Sequence, residues 1–190
     1  MITHFWEKFP KLYDWIQILA TGGYLNRVSR HLKFLNNKSV LDIGCGTGTL
    51  NQYINPGSYL GIDINLDFVK LAKKKYPGLS FKVMNIVDEK LPRGRFEYFF
   101  IMNVLHHLTD QQIKNAFKKI KKSKSLREFV IVESRPRNIF GKILGKFDAG
   151  SNFREYINLE NLIRSEFKIK SRKIIAAPLG TYEYLIVRCI

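Results

Sequence analysis

The stretch VLDIGCGTG, residues 40–48, constrains this chain more than any other. A short apolar run ends in glycines at Gly44, Gly46 and Gly48. Glycine permits positive φ and lets another group approach the backbone closely. SVLDI just before it reads as a buried strand, so the bare backbone sits at a strand end. From Ser39 onward the chain alternates two periodicities. SVLDI, SYLGID, LSFKVM, RFEYFFIM and LREFVIVE read as strands. TLNQYI, LDFVKLAKKKY and the segment carrying Ile113, Ala116, Phe117 and Ile120 read as helices between them. Asn65 is the expected N-cap of the second helix, and Thr109 with Gln112 forms a capping box for the third. Such alternation predicts a parallel sheet with helices on both faces. Asn158 is the expected cap of a further helix, through Leu159, Leu162 and Ile163. FKIKSRKIIA and YEYLIVRCI then follow without a helix between them, joined by APLGT. They predict an antiparallel pair at one side of the sheet.

In an open α/β sheet, ligands bind beyond the carboxyl ends of the strands, where the glycine loop lies. The dinucleotide fingerprint G-x-G-x-x-G is not met, because Thr49 follows Gly48. The phosphate-loop signature G-x-x-x-x-G-K-[ST] is absent too. A ligand without a pyrophosphate fits better. Three further segments follow in order: GIDIN ending in Asp63, VMNIVDEKLP, and FEYFFIMNVLHHL. With VLDIGCGTG they resemble the motifs of class I S-adenosylmethionine-dependent methyltransferases, over residues 30–133. Pattern and resemblance together imply a Rossmann-like α/β fold. It has a seven-stranded, mostly parallel sheet with helices on both faces and an antiparallel last strand.

The resemblance implies a cofactor, S-adenosylmethionine, and a set of positions for it. Asp42 would lie near its amino group. Gly44, Gly46 and Gly48 would form the loop, and the Cys45 amide would face the cofactor. Asp63 would accept the ribose hydroxyls, with Ile64 beside it; it stands about twenty residues beyond the loop, as a one-helix crossover gives. Asn85 takes the place where the family commonly has an Asp for the adenine amino group, with Ile86 next to it and Asp88 as the alternative. Asn103 would meet the methionine part. His106 and His107 lie past the fourth strand. They are candidates for a general base, or for packing that orients the loop. Phe140 and Arg154 are candidates for contact with the acceptor. No metal ligands are expected.

The acceptor is less constrained. The Asn/Asp-Pro-Pro-aromatic motif for planar base nitrogens is absent, with IMNV in its place, and so is the Pro-Cys nucleophile of cytosine C5 enzymes. LYDWIQILATGGYLNRVSR loosely resembles the lead-in of quinone-biosynthesis methyltransferases. In it, residues 10–20 read as a helix that TGG breaks, followed by a second helix with Leu25, Val28, Leu32 and Leu35 in register. RPRNIFGKILGKFDAGSNFRE, after the fifth strand, places Ile139, Phe140, Ile143, Leu144 and Phe147 at helical spacing among Arg135, Arg137, Lys142 and Lys146. Such a segment either lies on an anionic membrane surface or packs on the core as a lid with a solvated basic edge.

Lys and Arg number 32 against 16 acids, a net charge of +16. That surface attracts polyanions such as RNA, DNA or anionic lipid headgroups, unless it reflects a bias toward Lys and Asn codons. Cys45 and Cys189 fit no paired metal spacing and no disulfide framework, which favours a reducing cytoplasm. The first residues lack a signal-peptide core, and no apolar run approaches the roughly 18 residues a membrane span needs. The expectation is a single domain over 1–190. It divides into an N-terminal helical cap (1–37), a cofactor-binding core (38–133), a substrate-lid insertion (134–157) and a C-terminal helix with strands (158–190). Its activity would be methyl transfer to a small or amphipathic, lipid-like acceptor, in the cytoplasm or peripherally at a membrane. RNA is the alternative acceptor, and a non-catalytic binding protein the third reading. Oligomeric state is left open.

Overall fold

Val40, Leu41 and Ile43 are buried on both faces of one strand, β1 (Ser39–Ile43), which lies in the middle of the sheet. The computed structural model describes residues 23–145 and 152–190. The other strands are β2 (Ser58–Asp63), β3 (Ser80–Val83), β4 (Tyr98–Met102), β5 (Glu128–Pro136), β6 (Ile169–Ala176) and β7 (Tyr182–Cys189). They form one seven-stranded sheet in the order β3-β2-β1-β4-β5-β7-β6. Neighbours from β3 to β5 pair parallel, and β7 runs antiparallel to both β5 and β6. The expected fold class is therefore the observed one. β6 and β7 form the expected hairpin, closed by Ala177 N–H to Tyr182 O at 2.8 Å.

Helices α1 (Leu25–Ser29), α2 (Leu66–Lys75), α3 (Asp110–Lys121), α4 (Ile139–Gly145) and α5 (Tyr156–Arg164) connect or flank the strands. Leu41, Ile43, Phe99, Ile101, Phe129 and Ile131 pack with Ile113, Phe117 and Ile120 of α3 and Leu159 and Ile163 of α5. Val40, Phe100, Val130, Val132 and Tyr184 pack on the opposite face, with Val28 of α1 and Val69 and Ala72 of α2. Strands covered on both sides are apolar at successive positions, which is why they lack alternation.

Asn65 caps α2, its side chain accepting from the amides of Asp67 and Phe68. Thr109 and Gln112 form the reciprocal capping box of α3. Three expectations change. TLNQYI makes only a short 3-10 turn, Thr49–Gln52. The Asn51 side chain there bonds back to Gly48 O at 3.2 Å, and Pro56 leaves little room for a second turn. The helix expected through Leu25 and Leu35 divides into α1 and a 3-10 turn, Lys33–Leu35, although Leu25, Val28, Leu32 and Leu35 are all buried. The helix assigned to Asn158 starts earlier. Glu155 is its N-cap, and the Asn158 amide already bonds to Glu155 O. The helix expected over residues 10–20, and Lys146 and Phe147, lie outside the described residues.

The chain leaves β1 toward β2 on one side, and β4 joins β1 on the other. The loops after β1 and β4 therefore meet at the topological switch point, where this class of sheet leaves a crevice.

Candidate functional site

The three glycines of the β1 loop do different work. Gly44 and Cys45 both send their amides to Ile62 O, at 2.7 and 3.0 Å, tying the loop to β2. The Cys45 amide therefore faces β2, which corrects the expectation that it faces a ligand. Its side chain is buried against Gly61, where a Cβ would stand 2.8 Å from Sγ, and burial pushes the thiol up. Gly44 has φ +72°, and a Cβ there would lie 2.2 Å from Val104 Cγ2. Gly48 backs onto the Tyr76 and Phe81 rings. Gly46 differs: φ is +54°, and a Cβ would meet nothing within 4 Å. Gly46 is thus the loop position that borders open space.

Asp63 closes this corner. Its Oδ2 accepts the Gly46 amide and its Oδ1 the Asn65 amide, both at 2.8 Å. An ionised carboxylate is an acceptor of the kind that hydroxyl groups donate to. Ile64 follows and is 68% exposed, an apolar surface beside that carboxylate.

Other expected residues are engaged with the protein itself. Asp42 shares the face of β1 that carries Val40 and is 2% exposed. Its Oδ2 accepts the Tyr59 hydroxyl at 2.6 Å beneath the loop. Burial raises its pKa to about 7, against the lowering effect of Tyr59. Ile86 is buried in the core, and its carbonyl accepts Lys119 Nζ at 3.1 Å. Asn85 organises its own turn. Its Oδ1 accepts the Val87 amide at 2.9 Å and its Nδ2 donates to Asp88 Oδ2 at 2.6 Å, which binds the two candidate residues to each other.

The β4 loop forms the second wall. Asn103 takes φ +53°, its amide bonds to Val132 O and its Nδ2 donates to the Tyr24 hydroxyl at 2.9 Å. Its buried Oδ1 has no hydrogen-bond partner among the described residues. Such an atom is costly to bury unless a ligand donor meets it. Tyr24 stacks on Tyr184, with ring centroids 4.1 Å apart. The two histidines part company. His106 is 1% exposed, stacks on Phe153 and holds Glu133 through Nδ1, while His107 is exposed. Arg154 is committed to this loop: it donates to Leu105 O, Leu108 O and Asn152 O and pairs with Asp110. That corrects its assignment to the acceptor. Phe140, on α4, is 57% exposed.

Glu133 was missed by the sequence reading. An acid closing the apolar run FVIV was the available signal, since a buried carboxylate must find donors. Tyr24 and Tyr184 carried no signal, because their stacking joins elements distant in sequence.

Residues 40–124 match the family model described as a methyltransferase domain. A putative methyltransferase 235L of Invertebrate iridescent virus 6 is 38% identical over 81 residues, 40% of this chain and 29% of that protein. The phthiotriol/phenolphthiotriol dimycocerosates methyltransferase of Mycobacterium tuberculosis is 42% identical over 76 residues, 37% of this chain and 27% of that protein. Over residues 40–124, the chain is thus similar to S-adenosylmethionine-dependent methyltransferase domains. A tRNA U34 carboxymethyltransferase of Hydrogenovibrio crunogenus is also similar to it, 38% identical over 93 residues, 43% of this chain and 28% of that protein. The matches thus take in less than a third of each curated relative. In fold, the chain is like the magnesium protoporphyrin IX methyltransferase of Synechocystis PCC 6803 with bound SAH. The TM-score is 0.62 at 16% identity, over 90% of this chain and 83% of that one.

The residues around the β1 loop fit S-adenosylmethionine. Gly46 borders open space, Asp63 places a carboxylate beside it, Ile64 offers an apolar face and, among the described residues, Asn103 presents an unsatisfied oxygen. Among the described residues, no group of His, Cys, Asp and Glu could hold a metal ion, and no helix is long and apolar enough to cross a membrane.

Proposed function

We propose that this chain catalyses methyl transfer from S-adenosylmethionine to a small or amphipathic acceptor. The observation that carries the methyl-transfer part is the Gly46–Asp63 corner, a loop position bordering open space whose amide donates to a carboxylate at the end of β2. When bound, the cofactor supplies a methyl group already activated on a positively charged sulfur. The chain's part is to align an acceptor with that methyl and exclude water, which places the demand on positioning. The β4 loop suits this task, because Glu133 and Arg154 hold its backbone rigidly.

The acceptor class rests on α4, which leaves the carboxyl end of β5 and exposes Ile139, Phe140 and Ile143. The named lipid substrate of the Mycobacterium relative supports the same direction. RNA is the second reading, favoured by the net charge of +16 and by the tRNA-modifying relative. Incubation with methyl-labelled cofactor and a fractionated cell extract separates the two. Label in lipid or small amphipathic compounds supports the proposal. Label in RNA replaces it, and no transfer to any fraction contradicts the activity.

A further inference from the structure

The orientation of α4 decides between the two readings of its sequence. A lid packed on the core would bury Ile139, Phe140 and Ile143. The structure buries Gly141 instead. A Cβ at that position would lie 2.1 Å from Thr181 O, so backbone meets backbone there. Tyr182 donates its hydroxyl to Gly141 O at 3.0 Å, and Asn138 Nδ2 bonds to Gly180 O at 3.3 Å. The Arg137 amide bonds to Thr181 O at 2.9 Å. These contacts fasten the narrow side of α4 to the β6–β7 turn. The wide apolar side points outward, with Ile139 78%, Phe140 57% and Ile143 49% exposed. The turn adds Leu179, 59% exposed, two residues from Thr181. Two elements far apart in sequence thus present one apolar ridge.

The charge around the ridge narrows its partner. Arg137 and Lys142 are exposed on the same segment. Arg135 does not count toward this, because Glu155 and Glu183 pair with it. Among the described residues from 136 to 145 there is no acid. A second copy of a chain with net charge +16 would bring like charge to like charge. RNA would use the cations and leave four large apolar side chains in water. An anionic bilayer surface takes both, with cations at the headgroups and apolar side chains below them.

We propose that α4 and the β6–β7 turn together form a docking surface for an anionic lipid bilayer. The proposal is independent of methyl transfer, since docking needs neither cofactor nor acceptor. Its test is co-sedimentation of the full chain with vesicles of phosphatidylglycerol and phosphatidylcholine in equal parts, beside vesicles of phosphatidylcholine alone. The expected result is binding to the mixed vesicles, part of which survives raised ionic strength. Ile139→Ser with Ile143→Ser, and separately Leu179→Ser, each weaken partitioning by about tenfold or more, as loss of inserted apolar side chains demands. Lys121→Gln with Lys122→Gln, at the end of α3, leaves it within about twofold, because exposed charges away from the ridge act weakly through salt.

A second measurement does not depend on the stability of those variants. Ile143→Cys can be labelled with an environment-sensitive fluorophore, since Cys45 and Cys189 are both buried. A blue shift on adding mixed vesicles supports docking through α4. Sedimentation without a blue shift overturns it, as does wild-type binding by both serine variants. The proposal also fails if the chain self-associates through this ridge, or if it binds RNA and ignores the vesicles. Cofactor binding is measured without vesicles, so failure of the methyltransferase reading and failure of docking are told apart.

Discussion

Glu133 and Arg154 grip the same residue from opposite sides. Glu133 Oε2 accepts the Leu105 amide at 2.9 Å, and Arg154 Nη1 donates to the Leu105 carbonyl at 2.8 Å. One side chain comes from within β5 and the other from the approach to α5. The His106 loop is therefore clamped at its first residue by two elements that do not adjoin it in sequence.

A double-mutant cycle tests the clamp. Glu133→Ala leaves the buried Leu105 amide and the His106 ring without their acceptor, at a cost of about 1–3 kcal/mol for each such group. Arg154→Ala frees the Leu105 and Leu108 carbonyls at a similar cost. Because both hold one residue, through its two flanking peptide groups, their effects in denaturant unfolding should be non-additive by about 0.5–3 kcal/mol. Strict additivity would show that the loop is held by other contacts.

The glycines separate in the same kind of experiment. Alanine at positive φ costs about 1–2 kcal/mol. Gly46→Ala should lose about that much stability and no more, since its Cβ meets open space. Gly44→Ala must also displace Val104 and should lower the melting temperature further. In cofactor titrations the order reverses in meaning: folded Gly46→Ala should bind S-adenosylmethionine more weakly, because its methyl fills the ligand side. Full affinity in Gly46→Ala would move the cofactor away from this loop.

Asp42 predicts a dependence on pH. Its pKa is raised from 3.8 to about 7, mainly by burial. Between those values the folded chain holds a proton that the unfolded chain has released. Stability attributable to Asp42 therefore falls as pH rises through that window. A tenfold change in proton affinity corresponds to about 1.4 kcal/mol. Asp42→Asn cannot ionise, so its unfolding free energy should lack this decline relative to wild type. Parallel pH profiles for the two proteins would contradict the assignment.

Much of this architecture could be read from the sequence, because the informative signals were local. VLDIGCGTG announced a strand running into bare backbone, Asn65 and Thr109 announced helix starts, and the absence of a helix before β7 announced its reversal. What the sequence hid was direction. Asp42 and Asp63 both lie near strand ends, yet one accepts the buried Tyr59 hydroxyl and the other the amide of Gly46 in the loop. Arg154 looked free to meet an acceptor until folding brought three carbonyls within its reach. The apolar spacing of α4 was visible, but which side faces out depended on Gly141 meeting Thr181, a contact across 40 positions of chain. TLNQYI failed as a helix because Asn51 and Pro56 compete locally with the pattern its apolar residues suggest.

The central claim is that the Gly46–Asp63 corner binds S-adenosylmethionine, and isothermal titration calorimetry tests it most directly. Wild type should bind the cofactor, and binding should raise its melting temperature, because only the folded state offers the site. NAD should do neither. Asp63→Ala removes the carboxylate for the ribose hydroxyls, and two charge-assisted hydrogen bonds lost should weaken binding by about 2–4 kcal/mol. That result, in a variant shown by circular dichroism to remain folded at the titration temperature, is the one this account predicts. Absence of binding by wild type, or unchanged affinity in folded Asp63→Ala, would contradict it.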